Sequence, residues 1–199
     1  SKPLPPSLFA HNVMQRSMHT VHAENKNAKG VLGRTVASLM AQDTPYSGEL
    51  FSIAGQQHML VGSKPPTFVN WWSGIQQLEQ YDTLIEDLTK MTEFESESVF
   101  ADTYSELLRQ SLHKTNKWGS ELDATQLNTA FGTDHLSRQF QQVAKLIKIR
   151  EFLETERAVF IVQQWGFDTH GTFDMNTQLS EINSGLSSFV TEMKAQGMW

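Results

Sequence analysis

The sequence predicts an α/β fold, a helix-rich chain around a parallel central sheet, and three observations carry that prediction. Residues Arg157 to Trp165 read R-A-V-F-I-V-Q-Q-W, a continuous apolar run of the kind found in strands covered on both faces, and such strands belong to helix-shielded parallel sheets. Amphipathic helical patterns lie on either side of this strand, giving the last third of the chain an α-β-α order. The 199 residues, 39% apolar and 19% charged, have the balance of a globular chain. That length suits a single domain, 1–199, mainly helical with a short strand pair over 1–130 and an α-β-α core segment over 131–199.

The elements follow from local pattern. A first helix is expected from Ser7, its N-cap after Pro5 and Pro6, to about Val21. After the polar loop E-N-K-N-A-K-G, a second helix from Val31 to Ala41 buries Val31, Leu32, Val36, Leu39 and Met40. Two short strands, Leu50 to Ile53 and His58 to Val61, are expected around the turn at Ala54-Gly55. Apolar residues at helical spacing predict helices from Trp72 to Met91 and from about Glu95 to Asn116, with a further short helix from Leu122 to Ala130. Thr133 or Asp134 caps a helix that buries Leu136, Phe140, Val143, Ala144 and Ile147. The strand follows, and Asp174 or Asn176 then opens a last helix with Gly197 at its C′ position. A parallel α/β chain should hand that helix on to another strand, so the sequence is expected to be incomplete at its end. Its start, S-K-P-L-P-P-S, lacks the apolar core of a signal peptide and reads as a point reached in mid-chain.

Charge and composition exclude several function classes. With a formal net charge of −6 and no basic cluster, nucleic acid and anionic membrane surfaces are not expected partners. No apolar run approaches the length of a bilayer span. The absence of cysteine removes disulfides, thiolate metal sites and cysteine nucleophiles.

The chemistry-bearing segment is Gly166-Phe167-Asp168-Thr169-His170-Gly171, at the tip of the predicted strand. Ligands of open α/β sheets collect beyond the carboxyl ends of the strands, and an Asp and a His there are natural metal ligands. The alternative is a loop whose polar side chains cap the next helix. Thr169, a nucleophile in principle, reads as a turn residue. His11, Gln15, His19 and His22 form one helical stripe in which His19 and His22 are spaced for chelation, although solvated histidines share that pattern. Trp71-Trp72 either line a groove or pack, and Glu93, Glu95 and Glu97 read as a solvated helix start. His58 and His113 show no partner pattern. Gly132-Thr133-Asp134-His135 reads as a helix start in which Asp134 is the N-cap and His135 incidental.

The run L-S-R-Q-F-Q-Q-V-A-K-L-I, then a strand, G-F-D-T-H and a helix ending K-A-Q-G-M-W, resembles a family of mostly exported bacterial proteins known as domain of unknown function fifteen-oh-one. L-F-A-H-N at Leu8 to Asn12, G-V-L-G-R at Gly30 to Arg34 and F-S-I-A-G at Phe51 to Gly55 are similar to it in the same order. The resemblance implies an alkaline phosphatase and sulfatase-like fold, of which this chain is an internal, helix-rich segment incomplete at both ends. It further implies an exported protein and a divalent metal (zinc, calcium, magnesium or manganese) held by Asp168 and His170, with His11 and Asn12 facing the site. The substrate class it implies is a small phosphate or sulfate ester, with a protein partner that completes the fold as the other expectation. The chain departs from the family's pattern. The Gly- and Asp-rich opening strand and the late F-G-R-T-like and G-T-D-H-G-like motifs are not present in order, and Gly132 to His135 spells the last of these ahead of the D-T-H strand. Ala10 stands where the family often has serine. These departures support an alternative: a non-catalytic binding or assembly protein on a degenerate scaffold of the same kind.

Overall fold

The computed structural model describes every residue except 1–6, 8, 9, 23, 24, 26, 43–45, 94–97, 169, 172 and 173, with the backbone alone at position 99. The described residues form six α-helices and three strands: α1 His11–Thr20, α2 Val31–Met40, β1 Gly48–Ser52, β2 Thr67–Phe68, α3 Tyr81–Thr92, α4 Val99–Ala124, α5 His135–Lys148, β3 Arg157–Ile161 and α6 Asn176–Ala195. The sheet is parallel throughout, in the order β2-β1-β3.

β1 organises the fold because every one of its residues is buried. Side chains alternate along a strand, so Leu50 and Phe51 enter separate cores. Leu50 packs with Val36 of α2 and with Leu60, and Val159 and Ile161 of β3 lie against the same cluster. Phe51 faces the larger cluster of Ile53, Val69, Trp118, Leu122, Val143 and Leu146, and stacks on Phe160 at 5.4 Å between ring centroids. Helices therefore cover both faces of the sheet, as the apolar run at β3 predicts. That run belongs to an edge, however. β3 ends at Ile161 instead of Trp165, Val159 to Ile161 are only half-buried, and Trp165 is 65% exposed. The wholly buried strand is β1, which is flanked on both sides.

Several expected boundaries shift for identifiable reasons. Segment His58–Leu60 is a 3₁₀ turn instead of a strand, and β1 pairs with Thr67–Phe68 and with β3 in its place. Residues 72–80 are not helical. Asn70 Oδ1 accepts the Trp72 and Ser73 amides at 2.8 and 3.1 Å, an Asx turn that Gly74 closes at φ +74°. Ser7 does not cap α1; it holds a turn at φ +62°, and its carbonyl accepts the Ala10 amide at 2.8 Å. Leu122 ends α4 instead of starting a helix. Glu93 closes α3, and Glu95 and Glu97 lie outside the described residues. The cap of α5 matches the sequence, and α6 opens at Asn176 as expected but with Met175 at its N-cap. Asp134 accepts the Ser137 amide at 2.8 Å, and Asp174 accepts that of Asn176 at 3.0 Å. Gly197, at φ +69°, ends α6 with amide bonds from Gly197 to Lys194 and from Met198 to Met193, the paired bonds of a Schellman cap.

Two buried carboxylates tie the layers together. Glu49 of β1 meets Lys64 at 2.6 Å and Lys114 of α4 at 3.3 Å. Glu192 of α6, with no exposed surface, accepts the Asn128 and Thr129 amides at 3.0 and 2.7 Å and the Gln196 side chain at 2.9 Å. It takes the amide hydrogens that a helix through Ala130 would need, which is why 125–130 is extended loop. Burial pushes the Glu192 carboxyl upward, but hydrogen bonds from Gln196, Thr129 and Asn128 outweigh it and hold the group below the ordinary glutamate value. A carboxylate lowered in this way stabilises the fold fully above its unfolded pKa, about 4.3, and loses that contribution as pH falls through the folded value. Glu192→Gln is expected to lower stability by about 2 kcal/mol at neutral pH, through the loss of a charge-assisted double acceptor. In urea titrations the gap between variant and parent should close as the pH drops below about 4.3. A constant gap down to pH values near 2 would contradict this role.

Candidate functional site

The carboxyl ends of the three strands converge on one edge of the sheet. Val69 donates its amide to Ser52 at 2.9 Å and Ile53 donates to Ile161 at 3.0 Å, so the strand exits leave side by side. Beyond β3 the chain bends at Gly166, whose φ of +93° favours glycine. A Cβ there would sit 2.8 Å from Gln178 Nε2, and that nitrogen donates to the Gly166 carbonyl at 3.1 Å. This bend delivers Phe167 and Asp168 to the surface.

Asp168 and His170 are in contact: His170 Nε2 lies 3.1 Å from Asp168 Oδ1 and 3.2 Å from Oδ2. From the far end of the sequence His11, the first residue of α1, brings Nδ1 to 3.8 Å from Asp168 Oδ2. The fold thus joins three of the four residues singled out for this site. Their side chains are exposed, at 79% for His11, 61% for Asp168 and 82% for His170. Asn12 is exposed in the first turn of α1, and Thr169 lies outside the described residues. One carboxylate and two imidazoles are a donor set that suits zinc. Among the described residues, though, no three His, Asp or Glu side chains are grouped so as to hold a metal ion.

Behind the pair, an amide network locks the strand exits. Gln139 of α5 is fully buried; its Oε1 accepts the Gln163 amide at 2.8 Å and its Nε2 donates to the Gln163 carbonyl at 2.8 Å. The same nitrogen donates to His135 Nδ1 at 2.9 Å, which puts the imidazole proton on Nε2. Gln57 closes the network by donating to Gln163 Oε1 at 2.9 Å and to the Ala54 carbonyl at 3.0 Å. His135 also meets Trp71 edge-on at 4.8 Å, so it is a structural link and not incidental. Asp134 sits below the ordinary aspartate value: burial raises it, and the hydrogen bonds of the helix N-terminus at Ser137 and Leu136 overcome that. Sequence reasoning missed Gln139, Gln163 and His135. The available signal was a glutamine one turn after a histidine on the inward face of an amphipathic helix.

A crevice of about 450 Å³ opens between the ends of β1 and β2, lined by Ser52, Ile53, Gln56, Asn70 and Trp71 among others. Trp71 packs on the core from this crevice, whereas Trp72 is 67% exposed beneath the Arg138 guanidinium, 5.0 Å from its ring. The histidine stripe of α1 divides. Arg34 of α2 donates to His22 Nε2 at 3.0 Å and to the Thr20 carbonyl at 2.7 Å, which occupies His22. His19 turns toward His58 and titrates below the ordinary histidine value, through burial first and the nearby His58 second. His113 pairs with the Tyr81 hydroxyl at 3.2 Å.

Comparison with protein-family models, curated proteins and solved structures finds no match to the chain. No helix of the described residues is long and apolar enough to cross a membrane.

Gly166→Ala is expected to cost about 1–2 kcal/mol, because alanine is strained at this φ. It should also move the His170 ring resonances, since the bend sets the path to Asp168. Gly171→Ala, where an added Cβ meets nothing within 4 Å, is the control and should change neither stability nor spectrum. Equal behaviour of the two variants would contradict the role given to Gly166.

Proposed function

We propose that the chain is a segment of a metal-dependent phosphatase- or sulfatase-like hydrolase, exported, and built on an alkaline phosphatase-like scaffold as a member of the family it resembles. The observation that carries this reading is the meeting of His11 with Asp168 and His170 at the carboxyl edge of a parallel sheet. Two further features support it. β3 has no strand on its outer edge among the described residues, and its Val159 to Ile161 are half-buried, which suits a sheet that continues past it. The D-T-H turn also leaves the sheet where ligands of open α/β sheets collect.

In this reading Asp168 and His170 hold the divalent ion, zinc, calcium, magnesium or manganese, and His11 and Asn12 face it. Bound there, the ion would supply Lewis-acid polarisation of a phosphate or sulfate ester oxygen. The chain's own contribution is orientation. The Gly166 bend fixes the distance of Asp168 from the sheet, and Asp168 holds the His170 ring through its imidazole nitrogen. The opposing strand of such a site, with its further carboxylate, lies in the partner or segment that completes the fold.

A second reading, a non-catalytic binding or assembly protein on a degenerate scaffold, is favoured by Ala10. It immediately precedes His11 and offers no hydroxyl for attack on an ester.

Zinc and manganese titration of the purified chain, followed by calorimetry and by the His ring resonances, separates the readings. The first predicts one equivalent bound with shifts at His11 and His170, and an affinity lowered roughly tenfold or more in Asp168→Asn. No ion bound, with both side chains intact, would establish the second reading in its place.

A further inference from the structure

Next to the Asp168 edge, the outer face of α1 and the 3₁₀ turn at His58–Leu60 enclose an open trough of about 580 Å³. It is lined by His11, Met14, Gln15, Met18, His19 and Met59. Met14 and Met18 stand one helical turn apart on the same face as His19, and Met59 stands across from them. Three of the chain's eight methionines therefore converge here, and two of them, Met14 at 42% and Met18 at 66% exposure, are held in water beside imidazoles.

His58 Nε2 lies 3.0 Å from the Ala28 carbonyl, and a carbonyl only accepts, so Nε2 carries a proton and donates to it. His19 is the half-buried imidazole nearest in effect to it, close enough for His58 to oppose its protonation. The turn that carries His58 and Met59 is fixed by α2. The Gly30 amide donates to Val61 at 2.8 Å, and a Cβ on Gly30 would lie 2.2 Å from both the His58 and Met59 carbonyls. Among the described residues, no carboxylate lines the trough.

We propose that this trough binds a soft monovalent cation, copper(I), through the thioethers of Met14, Met18 and Met59 and the imidazole of His19. Thioether and neutral imidazole together favour copper(I), whereas zinc and the hard divalent cations favour the carboxylate-bearing Asp168 edge. The proposed ligands differ from Asp168 and His170, although His11 both lines the trough and approaches Asp168, and the proposal stands without the hydrolase reading.

The test uses the full chain labelled with ¹³C-methyl methionine. Silver(I), a redox-inert probe of soft sites, is titrated in nitrate buffer, and copper(I) is titrated against a chromophoric copper(I) chelator. The methyl resonances of Met14, Met18 and Met59 are expected to shift and saturate at one equivalent while the other methionines stay in place. The volume-conserving triple variant Met14→Leu, Met18→Leu, Met59→Leu preserves an apolar trough but removes its sulfur, and it should weaken copper(I) binding roughly a hundredfold. Should the triple variant not fold, Met18→Leu alone, at an exposed position, is expected to weaken binding roughly tenfold. Asp168→Asn should leave copper(I) affinity unchanged. Unmoved methionine methyls, or full affinity in the leucine variants, would overturn the proposal; the latter would mark the trough as an apolar groove and the copper as bound at histidine elsewhere.

Discussion

The paired hydrogen bonds between the Gln139 side chain and the backbone of Gln163 are the constraint on which the rest of the structure depends. β3 stops at Ile161, and from there the chain has no sheet partner for its amide and carbonyl. A buried backbone group without a partner costs about 1–3 kcal/mol. Gln139, itself fully buried on α5, supplies both partners, so it extends the ladder by one residue with a side chain in place of a strand. That fixes α5 to the exit of β3, and Gln57 joins the Gln163 side chain to the exit of β1. The route of the chain through Gly166 to Asp168 starts from this fixed point.

The polar groups of the interior act in a consistent way. Glu192, Glu49 and Gln139 are each buried and each saturated with hydrogen bonds or cations drawn from a different element. Glu192 holds a loop to α6, Glu49 holds α4 and the segment at Lys64 to β1, and Gln139 holds α5 to β3. Such groups add less to stability than apolar burial does, but they exclude alternative packings, because each leaves unpaired groups if its layer shifts. Lys114 records the cost of one of them: burial lowers its pKa, and Glu49 opposes that effect. Near the start of α4, Phe100 is 88% exposed.

Much of the fold could be read from the sequence because it is encoded locally. The parallel sheet, the Asp134 cap, the Gly197 stop and the inward face of α5 follow from apolar period and cap chemistry within a few residues, whereas α6 leaves the expected core residues Leu179 and Leu186 exposed. The failures are non-local. The apolar run at β3 describes a strand that touches two cores, yet which strand is central depends on pairing order, and β1 occupies the middle. Helix pattern from Trp72 onward was overridden by the Asn70 turn, and residues 125–130 by a carboxylate more than sixty positions away. The site divides in the same manner. Asp168 and His170 are adjacent enough to find by spacing; the approach of His11 to Asp168 follows only from the fold. His58, without a sequence pattern to recommend it, finds a partner in the Ala28 carbonyl, and its neighbour Met59 lines the trough with the α1 methionines where Gly30 lets the backbones touch.

The central claim is that a side chain of α5 completes the sheet at Gln163 and thereby sets the edge that presents Asp168. Residue-resolved amide hydrogen exchange tests it most directly. The Gln163 amide, outside any strand, should exchange as slowly as that of Ile53, which is bonded to β3 inside the sheet. Exchange at Gln163 as fast as at the exposed Trp165 would contradict the account.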